Sequence, residues 1–316
     1  TSQDFPVNPS YISGVAGAGA TILNTSRWFN SVTVEVTGQT VLNTILSLPY
    51  VNSSVNVGRK GAPGVNGPKF DLEKIRYKGT EELPAARSSS FNYGTSFNQV
   101  NMLKGDLMHD NGYTGAGKII AVLDAGFLNA DAMPVFDSLF SSGRILATWD
   151  FVDGNSSVFE DDWHGTMVLS CMGAFSPGNI IGTAPGASYL LLRSENAPAE
   201  AIIEEYNWAS AAEYADSAGA DIINSSLGYT RFDDPSQDHT YNDMDGNTTP
   251  ITIAADIAAS KGMVVCNSAG NEGNGSWFHI SAPSDADSIL CVGAVDAFSV
   301  YASFSGKGPA SDGRVK

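Results

Sequence analysis

The stretch Lys118-Ile119-Ile120-Ala121-Val122-Leu123-Asp124-Ala125-Gly126 decides the fold. Five consecutive apolar residues, too few for a helix and closed by a carboxylate and a glycine, read as a strand buried on both faces. Four further short apolar runs share this texture: Tyr189 to Arg193, Asp221 to Ser225, Met263 to Asn267 and Ile289 to Val295. Helical patterns lie between them. Ala199 to Ser217 carries Ile202, Ile203, Tyr206, Ala209 and Ala212 on one stripe, and Pro250 to Ser260 is bounded by a first-turn proline and Lys261-Gly262. Strands alternating with helices predict an α/β domain over residues 94–316 built on a doubly wound parallel sheet. In such sheets ligands gather where the carboxyl ends of the strands open into a crevice.

Upstream the period changes. Helical spacing is possible over Asn8 to Ala18, Trp28 to Val36 alternates, Gln39 to Leu48 is spaced as a helix and Tyr50 to Val57 alternates again. Residues 1–58 are therefore expected to form a small α+β unit lacking its first strand. Residues 59–93 are rich in Gly, Pro and Lys without sustained periodicity. They read as a linker, with Leu83-Pro84-Ala85-Ala86-Arg87-Ser88 as an exposed maturation site.

Composition narrows the partners. The 316 residues hold 17 Lys and Arg against 34 Asp and Glu, a formal charge of -17 that repels phosphate backbones, so no nucleic-acid partner is expected. No apolar run approaches the roughly 18 residues needed to span a bilayer, so no membrane partner is expected. Cys171, Cys266 and Cys291 are too few for a disulfide scaffold and lack the close pairs of a zinc site. A low charged fraction with many small polar residues suits a secreted or envelope protein.

Four strand-end or helix-start motifs carry chemistry. Asp124-Ala125-Gly126 sets a carboxylate at the mouth of the sheet, either as an Asx turn or as a working group. In Asp161-Asp162-Trp163-His164-Gly165-Thr166, His164 stands near the start of a helix marked by Met167, Val168, Cys171 and Met172. The helix dipole disfavours imidazolium there, so a proton-shuttling His164 needs a partner carboxylate. The loops Asn224-Ser225-Ser226-Leu227-Gly228 and Asn267-Ser268-Ala269-Gly270-Asn271-Glu272-Gly273 leave backbone open to a ligand, and Asn271 could aim an amide at an oxyanion or simply close a Gly-Asn turn.

The order Asp-x-Gly, His-Gly-Thr, Ser-Leu-Gly, Ala-Gly-Asn over Tyr93 to Lys316 resembles the subtilisin-like serine peptidases. This resemblance implies Asp124 and His164 as two members of a catalytic triad and Asn271 as oxyanion donor. It implies that Ser226, Leu227 and Gly228, with Ser268, Ala269 and Gly270, line the pocket for the substrate residue before the scissile bond. It also implies polypeptide substrates, and the amino-terminal unit is similar to the family's inhibitory propeptide. Met167 departs from the pattern where many members have a second His, and Ser170 where Gly is common. The family's nucleophile sits in a Gly-Thr-Ser motif beyond Lys316. Gly94-Thr95-Ser96 matches the letters but precedes the first core strand and runs into Phe97-Asn98-Gln99, so it reads as coincidence. The chain is thus expected to be an inactive piece of a longer precursor; the alternative is a non-catalytic peptide-binding relative.

Other motifs carry less. Gly112 to Lys118 has the spacing of a phosphate loop, yet Ile119 replaces the magnesium-holding hydroxyl and the glycines precede the strand. Asp233, Asp234, Asp238, Asp243 and Asp245 read as a solvated acidic loop. No cofactor is expected; calcium is possible, but its ligands cannot be assigned. His109, His239 and His279 lack ligand spacing and read as surface residues.

Overall fold

The computed structural model describes residues 2–58, 69 and 89–316. The amino-terminal unit comprises α1 (Pro9–Gly17), a hairpin of β1 (Thr21–Ser26) and β2 (Ser31–Glu35), and α2 (Gln39–Leu46). Its small core gathers Val15, Ala20 and Ile45. Thr21-Ile-Leu-Asn-Thr-Ser26 is a strand whose polar ends hide it in the sequence. The strand expected over Tyr50 to Val57 does not form among the described residues, the Val57 carbonyl accepting the Ile203 amide at 2.9 Å instead. The maturation stretch Leu83 to Ser88 lies outside the described residues.

Two short helices, α3 (Phe97–Met102) and α4 (Gly105–Asp110), lead into β3 (Ile119–Asp124). There follow α5 (Asp137–Ser141), β4 (Ile145–Asp150), α6 (His164–Gly173), the small hairpin β5 (Phe175–Ser176) with β6 (Ile180–Ile181), and β7 (Ser188–Arg193). The chain continues through α7 (Ile203–Ser217), β8 (Ile222–Ser225), α8 (Pro250–Ser260), β9 (Val264–Ser268) and β10 (Leu290–Val292). Six of these strands form one parallel sheet in the order β10-β9-β8-β3-β7-β4.

The period of two along each central strand explains why the sheet is covered twice. Ala121 and Leu123 of β3, with Leu190 and Leu192 of β7, pack beneath Trp208 and Ala212 of α7 and Ile251 of α8. Ile120, Val122, Tyr189 and Leu191 point the other way, onto Leu169 of α6 and Phe127, Phe136 and Leu139. Because every strand is parallel, Asp124, Arg193, Ser225 and Ser268 all finish on one edge. Leu123, Ser225 and Asn267 stand in register across three strands, and Asp124 faces Arg193.

The amino-terminal unit docks on α7. The buried carboxylate of Glu213 accepts from the Ser26 hydroxyl at 2.5 Å, the Arg27 amide at 2.9 Å and the Trp28 amide at 3.3 Å. Trp28 itself enters the main core.

Two further readings change. Gly94-Thr95-Ser96 is followed by a helix after all, α3. The buried Ser96 hydroxyl, however, donates to the Ile181 carbonyl at 2.8 Å and accepts the Ile181 amide at 3.0 Å, so it serves as a backbone clasp. Nor are all the histidines on the surface. His109 is buried, bonded to the Tyr93 hydroxyl at 2.7 Å, and His239 is nearly buried against Glu205 at 2.5 Å. Lys118 of the false phosphate loop bonds Asp221 at 2.7 Å.

Candidate active site

Asp124 ends β3 with no exposed surface. Its Oδ1 accepts the Ala125 amide at 2.8 Å and faces His164 Nδ1 at 2.7 Å. Oδ2 is buried and has no hydrogen-bond partner among the described residues. Burial pushes the Asp124 carboxyl above the ordinary carboxylate range, opposed by the His164 contact. Burial would likewise lower the His164 ring, but hydrogen bond and charge from Asp124 outweigh it and hold the ring above its usual 6.5. The pair is therefore arranged to keep a proton on Nδ1 and to favour the imidazolium over the free ring.

Sequence fixes how the two loops meet. His164 opens α6, and its amide donates to Asp162 Oδ1 at 2.8 Å. The chain after Asp124 zips to the segment before His164: Phe127 donates to the Val158 carbonyl at 2.7 Å, Leu128 to Asp162 at 3.0 Å and Asn129 to Phe159 at 3.0 Å. Such closeness leaves no room for side chains. Gly126, at φ +144°, abuts the Asp162 backbone, and Gly165 lies against the Gly126 carbonyl and Asp124.

Arg193, which the sequence reading placed only as the end of a strand, ties the site together. Its Nε donates to the Ala125 carbonyl at 3.2 Å, while Nη1 reaches Asp150 at 2.7 Å, Asp153 at 2.8 Å and Asp161 at 3.2 Å. One buried guanidinium thus grips the residue after Asp124 and the loop that leads to His164. An arginine closing an otherwise apolar buried strand was the available signal.

On the same edge the loops after β8 and β9 converge. Asn267 Nδ2 donates to the Leu227 carbonyl at 3.0 Å and to Ser284 Oγ at 3.1 Å. Gly228 and Gly270 both face Ser281, whose hydroxyl would stand 2.3 and 2.8 Å from a Cβ at those positions. The structure therefore brings Asp124 and His164 into contact, and Ser226, Leu227 and Gly228 beside Ser268, Ala269 and Gly270. Asn271 is exposed on the second loop. In the stretch that begins two residues beyond Arg193, the carboxylates of Glu195, Glu200 and Glu204 offer oxygens within 4.8 Å of one another.

A six-stranded parallel sheet, helices on both faces and a buried Asp bonded to a partly exposed His at its carboxyl edge define a protein of subtilisin-like fold. The chain belongs to the subtilase family, Peptidase S8, whose family model matches residues 115–316, and residues 1–67 match the Peptidase S8 propeptide domain of Bacteroidota. Among curated relatives, Subtilisin E of Bacillus subtilis (strain 168) is 28% identical over 242 residues, 75% of this chain and 55% of that protein. The thermophilic serine proteinase of Bacillus sp. (strain AK1) is 30% identical over 197 residues, 61% of this chain and 42% of that protein. The chain thus spans about half the length of the curated relatives it matches. Among solved structures, MycP1 from the ESX-1 type VII secretion system shares the fold at 23% identity and a TM-score of 0.51, covering 73% of this chain and 66% of that one. MycP1 from Mycobacterium smegmatis gives 23% and 0.50, covering 72% and 64%.

Proposed function

We propose that this chain is the propeptide-bearing front part of a secreted serine endopeptidase, with the domain limits 1–58, 59–93 and 94–316. The observation that carries this reading is the 2.7 Å contact between His164 Nδ1 and Asp124 Oδ1 at the carboxyl edge of the sheet. A base so held keeps its other ring nitrogen for a nucleophile's proton. In the intact enzyme His164 takes the proton of a serine hydroxyl as it attacks the peptide carbonyl. His164 then returns that proton to the leaving amine, while Asp124 fixes the ring and steadies the imidazolium. Asn271 donates its amide to the oxyanion, with residues 226–228 and 268–270 lining the pocket for the residue before the scissile bond.

The nucleophile in this proposal belongs to a Gly-Thr-Ser segment downstream of Lys316, and residues 1–58 act as a removable inhibitor. Casein hydrolysis and covalent labelling with a fluorophosphonate test the nucleophile, and adding residues 1–58 as a separate peptide to the mature protease tests the inhibitor, which is refuted if hydrolysis is unchanged. The full-length protein is expected to hydrolyse and be labelled, His164→Ala to abolish hydrolysis, and the 316-residue chain to do neither. Labelling of the 316-residue chain, or a full-length protein without turnover, would overturn the assignment.

A further inference from the structure

Three glutamates from one turn-rich stretch converge on the ammonium of a distant lysine. Lys69 Nζ bonds Glu195, both oxygens of Glu204 at 2.8 and 2.9 Å, and Glu200 at 3.2 Å. The Glu204 and Glu195 side chains are only 1% and 3% exposed and form the floor, while Glu200, at 19%, stands at the mouth. Their orientations are fixed from behind. Asn196 and Ala201 amides each donate to a Glu204 oxygen at 2.7 Å, and the Tyr229 hydroxyl donates to Glu195.

The place of this socket matters. Glu195 is two residues past Arg193, which pairs in register with Asp124, and Tyr229 directly follows Leu227 and Gly228. The socket therefore borders the stretch proposed to line the substrate pocket. Its occupant, Lys69, comes from just past the residues that match the propeptide domain.

We propose that the Glu195–Glu200–Glu204 socket is a subsite for a lysine side chain of the polypeptide substrate, held by the chain's own Lys69 until the amino-terminal segment is removed. The proposal rests on the peptidase reading above. Three features select lysine. An ammonium has three donors and no acceptor, matching three carboxylates that meet at a point. A guanidinium can also gather three carboxylates, as Arg193 does, but it spreads its donors in a plane, so it would enter this socket by one edge and leave its other donors unmatched. A calcium ion wants six to eight oxygens, whereas both Glu204 oxygens and one of Glu195 already accept protein donors. Burial, with Glu195 nearby, also raises the Glu200 carboxyl to about 8, so removal of the ammonium leaves carboxylates that need a cation or protons.

The test uses the matured full-length protein and peptides in which one lysine is walked through the positions before the scissile bond, each compared with norleucine. At one position lysine should raise kcat/KM about tenfold or more, mainly through KM, with arginine weaker, as expected for a charge-assisted contact. Glu195→Gln with Glu204→Gln should bring the lysine-to-norleucine ratio to about one, cooperative melting showing that the variant folds. No lysine-preferring position, or a preference that survives the double substitution, would overturn the subsite.

If no peptide is cleaved, the peptidase reading fails, and calorimetry on the 316-residue chain carrying Lys69→Met still decides the socket. A lysine peptide binding more tightly than its norleucine twin supports it, and equal affinity refutes it. Calcium uptake lost in the double variant, without lysine discrimination, refutes it in favour of a metal site.

Discussion

An ideal Cβ on Gly165 would stand 2.3 Å from the Gly126 carbonyl oxygen and 2.9 Å from the Asp124 Cβ, so the residue beside His164 can carry no side chain without parting the two loops. Gly165→Ala should lower the stability of the chain by about 1 to 3 kcal/mol, seen in denaturant melts. In the full-length enzyme a misplacement near 1 Å should cost about 10² in rate. An unchanged melt and rate would show that the loops yield. Asp124→Asn answers a different question. As the proposed base, His164 would have to be neutral, and its raised pKa would place the acid limb of kcat/KM above 6.5. With Asn in place the largest raising contact is gone while burial and the weaker pull of Asp162 and Glu195 remain, so the limb should move to lower pH than in the parent enzyme. The rate itself should fall by about 10⁴, a figure carried over from serine peptidases with the same triad. A limb that stays put would refute the coupling. For Asn271→Ala a loss of about 10² to 10³ in kcat, also a figure of this family, with KM unchanged, is expected if its amide meets only the transition state; a loss confined to KM would refute that role. Asp124 and His164 were legible because a lone carboxylate ending an apolar strand and a His before Gly-Thr are local signals. Arg193 was not, because its partners Ala125, Asp150 and Asp161 reach it only through sheet register and loop closure.

The loop between β8 and α8 is pinned to α7 by one titrating contact, His239 to Glu205. Burial would lower the His239 ring, but Glu205 outweighs it and the folded value lies above 6.5. A raised folded pKa adds stability that is complete below the unfolded value and fades as pH rises through the folded one. His239→Gln should therefore cost about 1 to 2 kcal/mol below pH 6.5, the worth of a charge-assisted hydrogen bond, and progressively less at alkaline pH. Melts that differ equally at both ends of the range would refute this. Element by element, legibility followed the continuity of the apolar run rather than burial alone. β3 and β7, buried on both faces, showed as such runs, and so did β8, β9 and β10 although Val264, Leu290 and Val292 are about half exposed. The edge strand β4, with Leu146 and Ala147 among alternating neighbours and Leu146 48% exposed, lacked that mark. The strand β1 was hidden by Thr, Asn and Ser, since its partner is a single neighbouring strand and its other face meets Glu213 through polar groups.

At the scale of the whole molecule, the grip of Glu213 on Ser26, Arg27 and Trp28 joins the amino-terminal unit to the sheet domain. Glu213→Gln should loosen it: amide hydrogen exchange over Thr21–Glu35 should speed up while β3 and β7 keep their protection. Trp28→Ala should add about 3 kcal/mol of destabilisation, since that indole is 6% exposed in the main core. Uniform exchange across both regions would mean that the two parts open together. The same contact has a consequence in time. Ser26 and Glu213 are 187 residues apart, so a ribosome adding roughly 5 to 20 residues per second delivers the glutamate some 10 to 40 seconds after the hairpin. For that interval Trp28 has no sheet domain to enter. The cluster of Val15, Ala20 and Ile45 is then the nearest apolar shelter on the nascent chain, and its quality sets how long the waiting hairpin stays out of wrong company.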